Sequence, residues 1–275
     1  MPNTPSKHPK DVVIVSAVRT PIGKFQGTLT PLSAPELGAV AVRAAVERAG
    51  VEPTAIDEVL MGSVVQAGQG QAPARQAGIK AGIPATVGAT TVNKICGSGL
   101  KTVMMAASMV TVGQGDIFVA GGMESMNNGP YLLHNARFGY RLGNDKFIDA
   151  MVHDGLWCSF EDQHMGNAAE WIAREYGLTR EELDEFACKS HLKAIEAIDE
   201  GRFEDEVVPV EVPQRRRKPL LFSVDETPRR DTSMEALAKL RPAFQQDGIV
   251  TAGNSPGITD GAAATVVMSR AKADE

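Results

Sequence analysis

The chain has 275 residues, 43% hydrophobic and 23% charged, which suits one large domain or a domain with an insertion and excludes a disordered chain. Its 28 Lys and Arg against 34 Asp and Glu give a formal net charge of −6, which argues against a dedicated nucleic-acid binder. Three widely spaced cysteines, Cys96, Cys158 and Cys188, make no disulfide framework and favour a reducing, cytoplasmic setting.

Residues 1–10 read as a short disordered leader without the apolar stretch of a secretory signal. Residues 12–18 form a continuous apolar run, as a strand covered on both faces requires. Pro35 opens a helix to Ala49, with Leu37, Val40, Ala41 and Ala44 on one stripe and Gly50 as its stop. Then come a strand at 58–65, a helix at 72–81, a strand at 87–92, a helix at 99–112 and a strand at 116–121. Strand and helix alternate at crossover spacing, so the fold class is α/β, a mostly parallel sheet covered by helices. After Gly122 the chain turns polar and irregular, with helices at 165–176 and from Thr179 to about Ile198. A last strand at 263–268 completes the core, which makes the intervening stretch an inserted loop domain. No charge-free apolar run reaches membrane-spanning length, and Met104, Met105 and Met109 read as core filling.

Chemistry concentrates at Cys96, between the third strand and its following helix. A thiol at a helix N-terminus meets unpaired N–H groups and the positive end of the dipole, which favour thiolate, and Gly97 and Gly99 permit a sharp bend there. The competing reading is a buried small hydrophobe at a turn. Cys188 falls inside a helix and reads as structural, while Cys158 follows Trp157 in a loop and points to no role. His164, just before a helix, is open to three readings: a cap, a ligand contact or a base. The run Arg215–Arg216–Arg217–Lys218, with Arg229 and Arg230, is a solvated turn or a seat for ligand phosphates. RNA binding lacks interleaved aromatics. No dinucleotide fingerprint, serine-hydrolase elbow or metal-ligand cluster is present in the sequence.

Several segments, in order, resemble the thiolase family, specifically acetyl-CoA acetyltransferases and 3-ketoacyl-CoA thiolases. They are residues 16–23 (Ser-Ala-Val-Arg-Thr-Pro-Ile-Gly), 92–99 around Cys96, 120–126 (Ala-Gly-Gly-Met-Glu-Ser-Met) and 164–166 (His-Met-Gly). Residues 238–244, 251–254 and 260–263 complete the set, so that the likeness runs from about Val12 to Met268. The resemblance implies a thiolase N-terminal α/β core at 11–123 and 247–270, and an inserted loop domain at 124–246 that contributes to the CoA site. It also implies that Cys96 is the acyl-accepting nucleophile, holding a thioester while 3-ketoacyl-CoA is cleaved with CoA or two acetyl-CoA are condensed to acetoacetyl-CoA. Leu156, His164, Met165, Arg229, Phe244 and Ala252 match positions that line the CoA site, with His164 contacting pantetheine and Arg229 at the nucleotide end.

The same resemblance implies no permanently bound cofactor and no metal, CoA thioesters as substrates, no nucleic-acid or membrane partner, and a homodimer or tetramer. The family pairs next to the nucleophile strand, where residues 87–92 carry small side chains. Two positions depart from the pattern: Pro256 replaces a pantetheine-bonding serine, with Ser255 beside it, and Ala236 replaces another serine. The family's Asn-Glu-Ala-Phe, Gly-His-Pro and Cys-x-Gly segments do not occur, so the chain is read as an N-terminal half without the C-terminal thiolase domain. Alone it is expected not to turn over. The rival class is a non-catalytic CoA-binding or assembly module built on a thiolase-like half fold.

Overall fold

The computed structural model describes residues 11–275, so the expected leader lies outside the described residues. The first half alternates as its periodicity requires. It runs through Val12–Arg19 (β1), Gly23–Lys24 (β2), Ala34–Ala49 (α1), Glu58–Gly62 (β3), Pro73–Ala81 (α2), Gly88–Val92 (β4), Ser98–Val112 (α3) and Ile117–Ser125 (β5). Local chemistry sets these bounds. Ser33 caps α1 in a box with Glu36, and Gly50, Gly82 and Gly113 end α1, α2 and α3 in the left-handed conformation.

The next stretch contains Tyr131–Leu132 (β6), Ile148–Asp149 (β7), Ala150–Gly155 (α4), Trp157–Cys158 (β8), Gln163–His164 (β9), Met165–Glu175 (α5) and Arg180–Asp199 (α6). Val210–Val212 (β10), Leu220–Phe222 (β11) and Met234–Ala238 (α7) follow, then Thr259–Ser269 (β12) and Arg270–Asp274 (α8).

The main sheet has the order β1-β12-β5-β3-β4, with β2 beside β12. β12 runs antiparallel to both β1 and β5, whereas β3 runs parallel to β5 and β4. Four of the five long strands therefore share one direction and β12 alone is reversed. The expected late strand at 263–268 is part of β12, which pairs Ala263 with Gly122 and Met268 with Ile117.

Side chains alternate between two apolar layers. Val59, Met61, Val119, Met123, Val266 and Met268 join α1 and α2 on one face. Leu60, Phe118, Ala120 and Val267 join Ala106 and Val110 of α3 on the other. β3, β5 and β12 are covered on both faces, as their largely apolar residues require.

Three sequence readings need correction. β1 is an edge strand with a bulge between Ile14 and Ser16, and it leaves Ile14 and Val15 exposed. Double cover therefore stops short of it. The strand expected at 58–65 ends at Gly62, where the chain turns to meet Glu124. Met104 faces solvent, while Met105 and Met109 pack on the α3 layer.

Residues 95–112 reach the length and mean hydropathy (1.4) of a short membrane span, but they include Lys101 and are therefore not a charge-free run. Their helix has only 15 residues, or about 22 Å at 1.5 Å per residue, which is short of a ~30 Å hydrocarbon core. It carries Lys101 and lies with Thr102, Ala106 and Val110 against the sheet.

A polar clamp joins β1 to the second half of the chain. Arg19 binds Asp225 through two nitrogens, at 2.7 and 3.0 Å, and Glu206 at 2.6 Å, with its guanidinium over the Phe203 ring. Burial works against the Arg19 charge, but these carboxylates outweigh it and raise its pKa above the ordinary value.

Candidate active site

Cys96 is exposed in the turn between β4 and α3. The turn is closed by its own backbone: Gly97 N–H donates to Lys94 O at 3.1 Å and Ser98 N–H to Ile95 O at 3.0 Å. The Ser98 hydroxyl accepts from Lys94 N–H at 2.8 Å and donates to Ile95 O at 2.6 Å. Ile95, one residue before the cysteine, has φ +50°, a left-handed conformation that a β-branched side chain rarely adopts.

The turn sits where the parallel strands β4, β3 and β5 come level, since Gly62 is in register with both Val92 and Gly122. A Cβ on Gly62 would lie 2.7 Å from Ser98 Cβ. Only a bare backbone lets the start of α3 come down onto the sheet here. The result is a thiol at the carboxyl ends of parallel strands, the usual place for a ligand site in an α/β sheet. Among the described residues no hydrogen bond reaches its Sγ.

A second group forms around the start of α5. β8 and β9 pair Trp157 with His164, and Met165 N–H donates to Leu156 O at 2.8 Å. His164 caps α5, its Nδ1 accepting from Gly166 N–H at 3.0 Å, and its ring stacks on Phe244 with centroids 5.0 Å apart. Gly166 has no side chain because the Phe244 ring occupies that space. Ala243 N–H donates to Val250 O at 2.9 Å and Pro242 bridges Thr251, which brings the Phe244 segment beside Ala252.

Five of the residues singled out in the sequence, Leu156, His164, Met165, Phe244 and Ala252, thus share one neighbourhood. Its loop is held by buried carboxylates. Glu170 accepts from Ile249 N–H at 3.0 Å and Val250 N–H at 2.8 Å, and Asp184 accepts from Asn254 Nδ2 at 2.8 Å.

Arg229 lies on another stretch. It is exposed and forked onto Asp231 at 2.9 and 3.1 Å, and its N–H donates to His191 Nδ1 of α6. Arg215–Lys218 form the exposed turn of the β10–β11 hairpin, with Arg216 at φ +61° and no carboxylate partner among the described residues. Ser255, beside the departing Pro256, gives its hydroxyl to Thr251 O at 2.7 Å, while Ala236 is exposed on α7. Cys188 is buried in α6, and Cys158 is half-buried in β8.

Sequence reasoning missed the piece that joins the two groups. Glu124, at the end of β5, accepts from Val64 N–H at 2.7 Å and Val65 N–H at 3.3 Å. Burial raises its carboxyl above the ordinary range, and the amides that it accepts from oppose the rise. The loop so held touches both groups: Asn93 Nδ2 donates to Val64 O at 3.4 Å, and a Cβ on Gly155 would meet Val65 at 3.5 Å, next to Leu156. The available signal was an acidic residue inside an otherwise small and apolar strand run, Gly121–Gly122–Met123–Glu124.

Comparisons with known proteins agree with this geometry. The acetyl-CoA acetyltransferase of Pseudomonas aeruginosa is 54% identical over 264 residues, which make up 96% of this chain and 67% of that protein. The enzyme of the same name from Cupriavidus necator is 54% identical over 265 residues, with the same coverage. The crystal structure of the Bacillus anthracis acetyl-CoA acetyltransferase superposes with a TM-score of 0.93 at 42% identity, over 96% of this chain and 66% of that one. The chain therefore spans about two thirds of the length of these relatives. With an exposed cysteine on a strand-to-helix turn of a six-stranded sheet, and the thiolase N-terminal domain model matching residues 12–271, the chain belongs to the thiolase family.

Proposed function

We propose that this chain provides the nucleophile and part of the CoA site of an acetyl-CoA acetyltransferase. The observation that carries the reading is Cys96, exposed at the carboxyl ends of parallel strands in a chain so similar to enzymes of that name. In the condensing direction, Cys96 Sγ attacks the thioester carbonyl of acetyl-CoA, the carbon–sulfur bond to CoA breaks, and CoA leaves as its thiol. The acetyl group then rests on Cys96 until the carbanion of a second acetyl-CoA displaces it, giving acetoacetyl-CoA. Cleavage of a 3-ketoacyl-CoA runs the same bonds backwards. A cysteine suits this exchange because its thioester is both formed and broken readily.

In this reading Leu156, Met165, Phe244 and Ala252 line the path of pantetheine, with His164 contacting it, and no permanent cofactor is required. Arg229 meets CoA phosphate after exchanging Asp231 for it, and the unpaired Arg215–Lys218 turn adds positive field. β4 is the outer strand of its sheet, with small side chains, which supports pairing of two copies along it about a twofold axis. Three unpaired cysteines support a cytoplasmic setting.

The described histidines are engaged elsewhere. His164 caps α5, His191 receives Arg229 N–H, and His134 and His153 touch one another. Carbon–carbon bond making also needs a group that moves a proton, so residues 1–275 by themselves should stop at the acyl-cysteine.

The test is intact mass after mixing with acetyl-CoA, together with acetoacetyl-CoA cleavage. One acetyl group should appear on the wild-type chain and none on Cys96→Ala. Catalytic cleavage by residues 1–275 alone that is lost in Cys96→Ala would refute the stop at the acyl-cysteine, and cleavage that survives in Cys96→Ala would refute Cys96 as the nucleophile. Arg229→Ala should weaken binding of CoA more than of dephospho-CoA; equal losses would place Arg229 away from the 3′-phosphate.

A further inference from the structure

The left-handed Ile95 raises a question of support. Its side chain is 48% exposed, so burial does not hold the residue in this costly conformation. Polar bonds do. Its carbonyl accepts from both the amide and the hydroxyl of Ser98, and its amide donates to Asn93 Oδ1 at 3.0 Å. Asn93 directly follows Val92, the last residue of β4, whose carbonyl accepts from Ser63 N–H at 3.1 Å. Its Nδ2 reaches Val64 O at 3.4 Å, on the loop that Glu124 fastens to β5. A line of contacts therefore runs from β5 through Glu124, Val64 and Asn93 to Ile95 and the cysteine.

We propose that Asn93 is a positioning residue for Cys96: by holding the Ile95 amide it keeps the turn left-handed and aims the sulfur at the acyl carbon. The inference rests on the reading of Cys96 as the acyl acceptor. Asn93 makes no covalent bond and moves no proton. Its effect falls on the rate of acyl transfer and not on acyl-CoA binding, because misplacing a nucleophile by about 1 Å can cost on the order of 100-fold.

The experiment compares the wild-type chain with Asn93→Ala and Asn93→Ser. Serine is neutral and keeps an acceptor for the amide two residues on, though a weaker one. Acetyl uptake at Cys96 is followed by intact mass across acetyl-CoA concentrations, giving a limiting rate and a half-saturating concentration. Amide exchange is read at Ile95, and thermal unfolding checks the fold.

Asn93→Ala should lower the limiting rate roughly 10- to 100-fold, hold half-saturation within about twofold, and speed exchange at Ile95. Asn93→Ser should recover most of the rate. A wild-type limiting rate in Asn93→Ala, a loss confined to half-saturation, or a serine variant as slow as alanine would overturn the proposal. If the wild-type chain takes up no acetyl group, the functional reading fails. Exchange at Ile95 then judges the inference alone, and an unchanged rate in Asn93→Ala overturns it.

Discussion

The two halves of this molecule are held by different forces. The sheet with α1, α2 and α3 is apolar on both faces, with Phe118, Leu60, Met61, Val119 and Val266 almost fully buried. Much of the stretch between β5 and β12 is held by carboxylates that reach across the chain: Asp225 and Glu206 to Arg19, Glu226 to Thr28, Glu170 to the 249–250 amides, and Asp184 to Asn254. Apolar burial is non-directional and gives a stiff platform, whereas each carboxylate fixes one loop at one point. A chain of this kind can lose a loop anchor locally without losing the sheet.

The largest expected effect tests the platform. Phe118→Ala should cost about 3–5 kcal/mol and lower the midpoint of denaturation for the whole chain. A change confined to α3 would show that the two apolar layers are not one cooperative unit.

Glu170→Ala should cost less, about 2–3 kcal/mol, since it strips two amides of a charged acceptor. Hydrogen exchange should speed at Ile249 and Val250 while the β5 amides stay protected. Uniform acceleration would erase the distinction drawn above.

Acid gives a smaller, graded effect. Burial pushes the Glu226 carboxyl up, yet bonds from Thr28 and Lys24 N–H outweigh it and hold it below the ordinary value of about 4.5; Glu36 is held low chiefly by the Ser33 hydroxyl. Groups lowered by folding stabilise it above that value, and the contribution fades as pH falls through their folded-state values. Glu124 is displaced upward and acts in the opposite sense, since ionising it disfavours the fold as pH rises through its raised value. As pH falls below about 4.5, through the folded-state value of Glu226, the 24–28 loop should therefore loosen before β5 does, as followed by exchange at Thr28 and Val119. Simultaneous loss would contradict this order.

The smallest effect is expected at Arg230, whose partner Asp199 is exposed with it. Arg230→Ala should leave the melting temperature unchanged within error, because an exposed pair gains little over its hydrated partners. A clear drop would mean that surface pairs also fasten the second region.

The same contrast explains what could be read from the sequence. The elements of the sheet announce themselves because their signals are local: short apolar runs, Pro near a helix start, Gly at its end. The cysteine at the head of α3 was equally plain. The edge position of β1 was not, because its sequence, Val12–Val18, is as apolar as that of a central strand; only the bulge and its pairing partner decide which face meets solvent. Nor were Glu124, Glu170 and Asn93 legible as anchors. Each acts on backbone groups brought near by folding, and Glu170 bonds amides 79 and 80 residues away. Single-position residue types carry no trace of such partners.

The reversed β12 has a consequence in time. Among the described residues the strand that pairs along β1 is β12, and the bond from Ala262 N–H to the Thr20 hydroxyl joins groups 242 residues apart. At about 5–20 residues per second, synthesis would leave β1 waiting roughly 10–50 s for the strand that pairs with it. Meanwhile β3, β4 and β5 have parallel partners close behind them. The nascent chain would thus assemble its sheet from the nucleophile side outward and close it last between β1 and β5. During that interval the apolar strand β1 is an unpaired edge open to a second nascent chain, so yield should depend on concentration and on chaperone capacity more than the folded core would suggest.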